Sequence, residues 1–183
     1  MDFIIKELTI DLLQLNGLLE TLSHMRETGN ISIENRIKIL KKIDYQDSHI
    51  FVAINNTEII GTSTVLIEQK YIRNGACVCH IEDVSVNKRF IGLGIGKSVM
   101  KESIKYAKKR NCYKIILDCS NEVKPFYEKF GFKKEDNHMR INLWYIYQKV
   151  YKQIIQLINI REKKWRKYYY FLENYKIWQK TEK

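Results

Sequence analysis

The chain has 183 residues, 45% of them hydrophobic and 29% charged, with a formal net charge of +11. That length suits one domain with a real core, and the ordinary apolar content argues against a disordered chain. No stretch approaches the roughly 20 apolar residues of a membrane span, and MDFIIKELTI carries charges inside its apolar run, unlike a secretory leader, so a cytoplasmic protein is expected.

FIIKELTI, from Phe3, has strand-like content, and Leu12, Leu15, Leu18, Leu19 and Leu22 then recur at helical spacing. GNISIE punctuates the chain before a second helical stripe of Ile33, Ile37, Leu40 and Ile43. HIFVAIN and EIIGTSTVLIEQK flank Asn55-Asn56-Thr57 and predict a hairpin. ACVCHIEDVSV is the next strand, and the helix after IGLGIGK is expected to bury Ile95, Val99, Ile104 and Ala107. CYKIILDC, from Cys112 to Cys119, reads as a short buried strand, Pro125 starts a short helix, and a last strand is expected around His138 to Leu143. The order predicts an α/β fold with a mixed central sheet flanked by helices, an antiparallel meander followed by a parallel strand–helix–strand unit.

Charge is unevenly placed. Residues 141–183 hold ten Lys/Arg against three Glu, and all three tryptophans lie beyond residue 143. This shift predicts a domain over 1–142 and a basic, aromatic-rich helical tail over 143–183. The tail mixes cations and aromatics, so weak contact with a membrane surface is open to it, while no specific nucleic-acid site is expected. The cysteines at 77, 79, 112 and 119 form no C-x-x-C and are expected to be reduced core residues. The histidines at 24, 49, 80 and 138 lack metal spacing, so no metal is expected.

The most informative run is Ile91 to Lys97, IGLGIGK, between a strand-like and a helix-like stretch. Alternating Gly92, Gly94 and Gly96 let several backbone N–H groups point at one ligand, and the helix that opens there adds its orphan N–H groups and the positive end of its dipole. This suits a phosphate or pyrophosphate, although a bare G-x-G-x-G also occurs as an ordinary tight turn. The spacing is neither the dinucleotide fingerprint nor the P-loop.

HIEDVSV upstream, with CYKIILDC and FYEKFGF downstream, gives this loop its context. The set resembles the acetyl-CoA-dependent GNAT N-acetyltransferases, and within them the glucosamine 6-phosphate branch, from about Phe3 to Asn142. The resemblance implies a GNAT fold whose parallel strands splay to admit the pantetheine arm. It implies acetyl transfer from acetyl-CoA to the amine of glucosamine 6-phosphate, giving N-acetylglucosamine 6-phosphate for UDP-N-acetylglucosamine biosynthesis, and a homodimer.

The same resemblance assigns the site. Gly92, Leu93, Gly94, Ile95, Gly96 and Lys97 would hold the pyrophosphate. Val84, Ser85 and Val86 would pair with pantetheine, and a backbone N–H there would polarise the thioester carbonyl. The usual Gln or Arg before the glycines is replaced by Ile91, leaving Arg89 or Lys97 to compensate. Glu82 and Asp83 are substrate-site candidates that strand alternation would put on opposite faces. Asp118 would lie near the reacting amine. Tyr127, nine residues later, would protonate the leaving thiolate, since an ordinary phenol with a pKa of about 10 stays protonated at neutral pH. Lys70, Tyr71, Arg73, Tyr113 and Lys114 would bind the sugar phosphate. The family's last-strand arginine is replaced by Asn142. An acetyltransferase of another small amine or a peptide N-terminus, and a non-catalytic module of this fold that binds partners through its tail, stay open as alternatives.

Overall fold

The computed structural model describes residues 1–141, so the predicted tail over 143–183 lies outside the described residues. Two compact units divide the chain, Met1–Lys124 and Pro125–Lys183. The first holds a five-stranded sheet in the order β1-β2-β3-β4-β5. Its strands are β1 (Ile4–Glu7), β2 (Ser48–Asn55), β3 (Glu58–Gln69), β4 (Cys77–Val86) and β5 (Lys114–Ile116). The first four pair antiparallel and β4 pairs β5 in parallel. The predicted mixed sheet and the Asn56-Thr57 hairpin are therefore present.

Helices cover both faces. Against one face, α1 (Leu18–Ser23) and α2 (Ile33–Tyr45) help enclose a core of Leu8, Leu13, Leu18, Leu40, Val52, Ile54 and Ile59. The predicted α2 stripe packs here, and the Ser32 side chain caps the helix by accepting from Asn35 N–H at 3.4 Å. Against the other face, α4 (Ile95–Lys109) places Ile95 and Val99 on Ala53 and Ile60. Met100, Ser103 and Ala107 complete the buried stripe of α4, whereas Ile104, expected inside, is half-buried. Ser103 Oγ meets Ser63 Oγ at 2.9 Å, giving both buried hydroxyls a partner.

The single helix predicted from the leucine spacing is broken. A 3-10 turn (Asp11–Gln14) and α1 are separated because Asn16 C=O accepts from Ile59 N–H at 2.9 Å and Gly17 takes φ +93°. A long-range sheet contact outcompetes helix propagation there. β5 is only three residues long and half-exposed, because among the described residues it is the sheet's edge and has one neighbour. Of the cysteines, Cys79 is buried and Cys77 and Cys112 are half-buried with sulfurs 3.2 Å apart, while Cys119 is exposed, contrary to expectation.

The irregular turn α3 (Ile72–Gly75) links β3 to β4. In the second unit, α5 (Lys124–Glu128) runs on from the first, and Phe126 makes edge-on contacts with Tyr127 and Phe130. The strand predicted near 138–143 is not formed over 138–141, which are exposed. The sheet of the described residues comprises β1 to β5 and takes in none of 138–141. Positions 142 and 143 lie outside the described residues.

Candidate active site

The C-terminal ends of β4 and β5 assemble most of the predicted cofactor residues. The two strands pair only at Val78–Lys114, Cys79–Ile115 and His80–Ile116. Beyond His80 the pairing stops, because β5 ends at Ile116, while β4 continues to Val86 against β3. Among the described residues, no strand pairs with the β5-facing backbone edge of β4 at Val84, Ser85 and Val86. Such an edge can pair with an extended ligand.

A bulge shapes this edge. Thr64 faces Glu82 and Thr62 faces Ser85, so Asp83 and Val84 together oppose the single residue Ser63, and Asp83 takes φ +50°. Alternation therefore breaks between Asp83 and Val84, which share the partner Ser63, while Glu82 keeps its own partner, Thr64. Both carboxylates are exposed. The bulge resets the phase: Val84 and Val86 pack with the α4-side cluster, and Ser85 turns to the α1 side, donating to Thr21 C=O at 2.6 Å.

The chain then enters a 3-10 turn, Lys88–Phe90, and the glycine loop. Gly92 (φ +89°) and Gly94 (φ +81°) are left-handed, and Gly94 is the N-cap of α4. A side chain at either would be strained, yet a Cβ built there meets nothing within 4 Å. The glycines thus serve backbone shape, with open space in front of them. Ser98 N–H donates to Gly94 C=O at 3.0 Å as the helix begins, so the N–H groups of Ile95, Gly96 and Lys97 precede the helical ladder. Open space, clustered amides and a helix dipole suit an anion such as the pyrophosphate of acetyl-CoA. Ile91 and Leu93 are exposed and apolar beside it. Arg89 does not turn to this cradle; its Nη2 bonds Glu58 at 2.8 Å and lies 3.5 Å from Glu20.

Asp118 is exposed, two residues beyond the last paired residue of β5, as Glu82 is two beyond His80 on β4. Tyr127 lies in α5, half-buried, with its ring 5.0 Å from Phe126 and 6.2 Å from Phe132.

The predicted phosphate cations collect elsewhere. Lys70, Tyr71 and Arg73 occupy the β3–β4 connection and Tyr113 and Lys114 open β5, all at the N-terminal end of β4 and β5. Arg73 stacks over Tyr113 at 4.8 Å, with Lys114 Nζ 5.8 Å from the same ring centroid. Lys70 pairs with Glu68, which also meets His80 at 2.9 Å. These two partners hold the Glu68 carboxyl below its ordinary value, Lys70 contributing most. Tyr71 is fully exposed. At about 3.3 Å per residue, the length of β4 separates this cluster from Val84 by roughly 20 Å. One chain therefore does not bring the cations and the glycine loop together. The missed features are the Asp83 bulge and the Arg89 ion pairs; no local motif announces either, since both depend on β3 register.

Among the described residues, no group of three His, Cys, Asp or Glu is placed to hold a metal, and no helix is long and apolar enough to cross a membrane.

Comparison with known proteins agrees with this geometry. Residues 19–132 match the acetyltransferase (GNAT) family. A glucosamine 6-phosphate N-acetyltransferase of Arabidopsis thaliana is 38% identical over 127 residues, covering 67% of this chain and 85% of the relative. The enzyme of that name from Trypanosoma brucei brucei is 33% identical over 138 residues, covering 70% and 89%. The crystal structure of an Arabidopsis thaliana glucosamine-6-phosphate N-acetyltransferase superposes with a TM-score of 0.73 at 36% identity, over 78% of this chain and 99% of that one. The chain belongs to the GNAT acetyltransferase family.

Proposed function

We propose that the protein transfers the acetyl group of acetyl-CoA to the amine of D-glucosamine 6-phosphate, giving N-acetyl-D-glucosamine 6-phosphate. The observation that carries this reading is the convergence of the splayed β4 edge, the glycine cradle and two carboxylates at one end of the sheet. The relatives named for this sugar phosphate support the substrate.

Acetyl-CoA supplies a thioester whose acyl carbon accepts the amine. In this proposal the amides at Gly92, Leu93, Gly94, Ile95, Gly96 and Lys97 bind its pyrophosphate, and the β5-facing edge of β4 at Val84–Val86 orients the arm. A backbone N–H of that edge polarises the carbonyl. Glu82 and Asp83 orient the sugar hydroxyls. Asp118 draws the amine into place by accepting an N–H, and its side chain or a water takes the proton. Tyr127 Oη returns a proton to the departing sulfur, a role assigned by its place in FYEKFGF.

The sugar phosphate needs cations, and Lys70, Arg73 and Lys114 stand at the far end of β4 from the cradle. Their separation supports a homodimer in which a second copy brings this cluster, with Tyr71 and Tyr113, to the first copy's sugar. The segment predicted as a last strand, around His138 to Leu143, would lie at the same interface. Sequence composition places the boundary of the acetyltransferase domain at 142, with the tail over 143–183 as an appendage. Cytoplasmic action is proposed from the free cysteines, which persist in reducing compartments.

The deciding experiment is a thiol-release assay with a panel of amines. Glucosamine 6-phosphate is expected to turn over fastest, and faster turnover of a polyamine, an aminoglycoside or a peptide N-terminus would overturn the assignment.

A further inference from the structure

A cation two residues before the loop that holds a pyrophosphate invites the reading that it touches phosphate, and the structure points elsewhere. Arg89 Nη2 bonds Glu58 Oε2 at 2.8 Å, at the start of β3, and reaches Glu20 Oε1 in α1 at 3.5 Å. Asn87, with no exposed surface, ties the same elements together. Its Nδ2 donates to Glu20 Oε1 at 3.0 Å, its Oδ1 accepts from Arg89 N–H at 3.1 Å, and its backbone N–H donates to Ile60 C=O at 2.9 Å. The Arg89 guanidinium also lies 5.1 Å from the Phe90 ring, and Phe90 packs against the cluster of Ala53, Ile60, Ile95 and Val99.

The loop has little else to fix it. Phe90 N–H bonds Asn87 C=O at 2.9 Å, but the next two turns, Ile91 N–H to Lys88 C=O and Leu93 N–H to Phe90 C=O, are 3.5 and 3.4 Å. Those lengths are at the limit of a hydrogen bond. Ile91 and Leu93 are exposed, so neither side chain anchors the loop by burial. An amide cradle binds an anion well only if its N–H groups are already aimed, because the cost of ordering them is subtracted from affinity.

We propose that the Glu58–Arg89–Glu20 clip positions the pyrophosphate loop, making Arg89 a positioning residue for acetyl-CoA and not a phosphate ligand. The proposal rests on the acetyl-CoA reading of the loop. It assigns the two glutamates, which would repel phosphate if left alone, a favourable part in cofactor binding. The clip is half-exposed, so its effect is modest and is weakened by salt.

The two roles for Arg89 predict opposite signs for its partner. Calorimetry of acetyl-CoA binding should be run on the parent, Arg89→Gln, Glu58→Gln and the double variant, with thermal unfolding as a check that each is folded. A clip predicts that both single variants weaken binding by a similar factor of about two to five, within the range of one surface ion pair. The double variant should be no worse than either single, and Arg89→Lys should recover part of the loss. In turnover the loss should fall on KM for acetyl-CoA and leave kcat nearly unchanged. A phosphate ligand predicts that Glu58→Gln, by freeing the cation, leaves binding unchanged or tightens it, while Arg89→Gln weakens it and flattens its salt dependence. That pattern overturns the proposal, as does unaltered affinity in both single variants. A folded parent that does not bind acetyl-CoA would remove the cofactor reading itself, a failure distinct from any pattern among the variants.

Discussion

Gly17 sits directly under Ile59. A Cβ added to Gly17 would fall well inside contact distance of the Ile59 carbonyl oxygen, and the Gly17 φ of +93° is one that side chains rarely adopt. The neighbouring Asn16 C=O accepts from Ile59 N–H, so the backbone has no room to retreat. Gly17→Ala should cost about 3 kcal/mol from strain and overlap combined. The urea midpoint should fall with little change in slope, and an unchanged midpoint would show that the turn yields without penalty.

Asp47 and Arg110 form a two-pronged ion pair away from the site. Arg110 Nη1 and Nη2 reach the two carboxylate oxygens at 2.7 and 2.5 Å, joining the start of β2 to the end of α4. The Arg110 hydrogen bonds hold the Asp47 carboxyl below its ordinary value, with His49 assisting. A folded pKa below the unfolded one gives stability that is present above about pH 4, the unfolded value, and is lost as pH falls through the folded pKa. Asp47→Asn should cost about 1 kcal/mol at pH 7, because the pair is partly exposed and solvent-screened. The gap between variant and parent should narrow in urea titrations repeated at pH 3, and an equal gap at both values would remove the pair from acid stability.

The thiols should differ sharply in reactivity. Burial pushes the Cys79 and Cys112 thiols up to about 12, and Cys119 is exposed. In the folded protein near pH 8, Cys119 should react first with a thiol-specific disulfide reagent and Cys79 last. Raised folded values give stability that is full below the unfolded thiol pKa, near pH 8.5, and is lost as pH rises towards 12. The unfolding temperature should therefore drop in that window, and Cys79→Ala should shallow the drop. A Cys79 that reacts as fast as Cys119 would contradict the burial.

Tyr127→Phe keeps the ring that packs on Phe126 and Phe132 and removes only the hydroxyl. On the proposed role, kcat should fall by about 10²–10⁴-fold, the usual reach of general acid catalysis. Acetyl-CoA affinity should change little. Wild-type kcat, with chemistry shown to be rate-limiting, would dismiss Tyr127 as the acid.

The segment after residue 142 is proposed to be dispensable. Every proposed site residue precedes it, and the net charge of residues 141–183, ten Lys/Arg against three Glu, would add only salt-sensitive affinity for anionic partners. Truncation after Leu143 should leave acetyl transfer near the full-length value at low and high salt. Loss of activity in a truncated protein that stays folded would instead make a tail cation the replacement for the arginine absent at 142.

Local pattern in the sequence determined most of the elements. The runs flanking Asn55-Asn56-Thr57 marked β2 and β3, strand-like content marked β4, helical spacing marked α2 and α4, and Gly92 and Gly94 marked a turn whose backbone faces outward. Their order was enough for a mixed sheet, and the motifs were enough for the family, because periodicity and backbone preference travel with the residues themselves. What only the tertiary structure decided depends on partners distant in sequence. Ile59 breaks the leucine-rich helix at Gly17. Ser63 opposite Asp83 and Val84 creates the bulge that undoes alternation between those two residues. Glu58 and Glu20 draw Arg89 away from the cradle. The length of β4 separates Arg73 and Lys114 from that cradle, although EQKYIR and HIEDVSV lie close together in the chain. Register fixes each of these, and register is a property of two strands that neither carries alone.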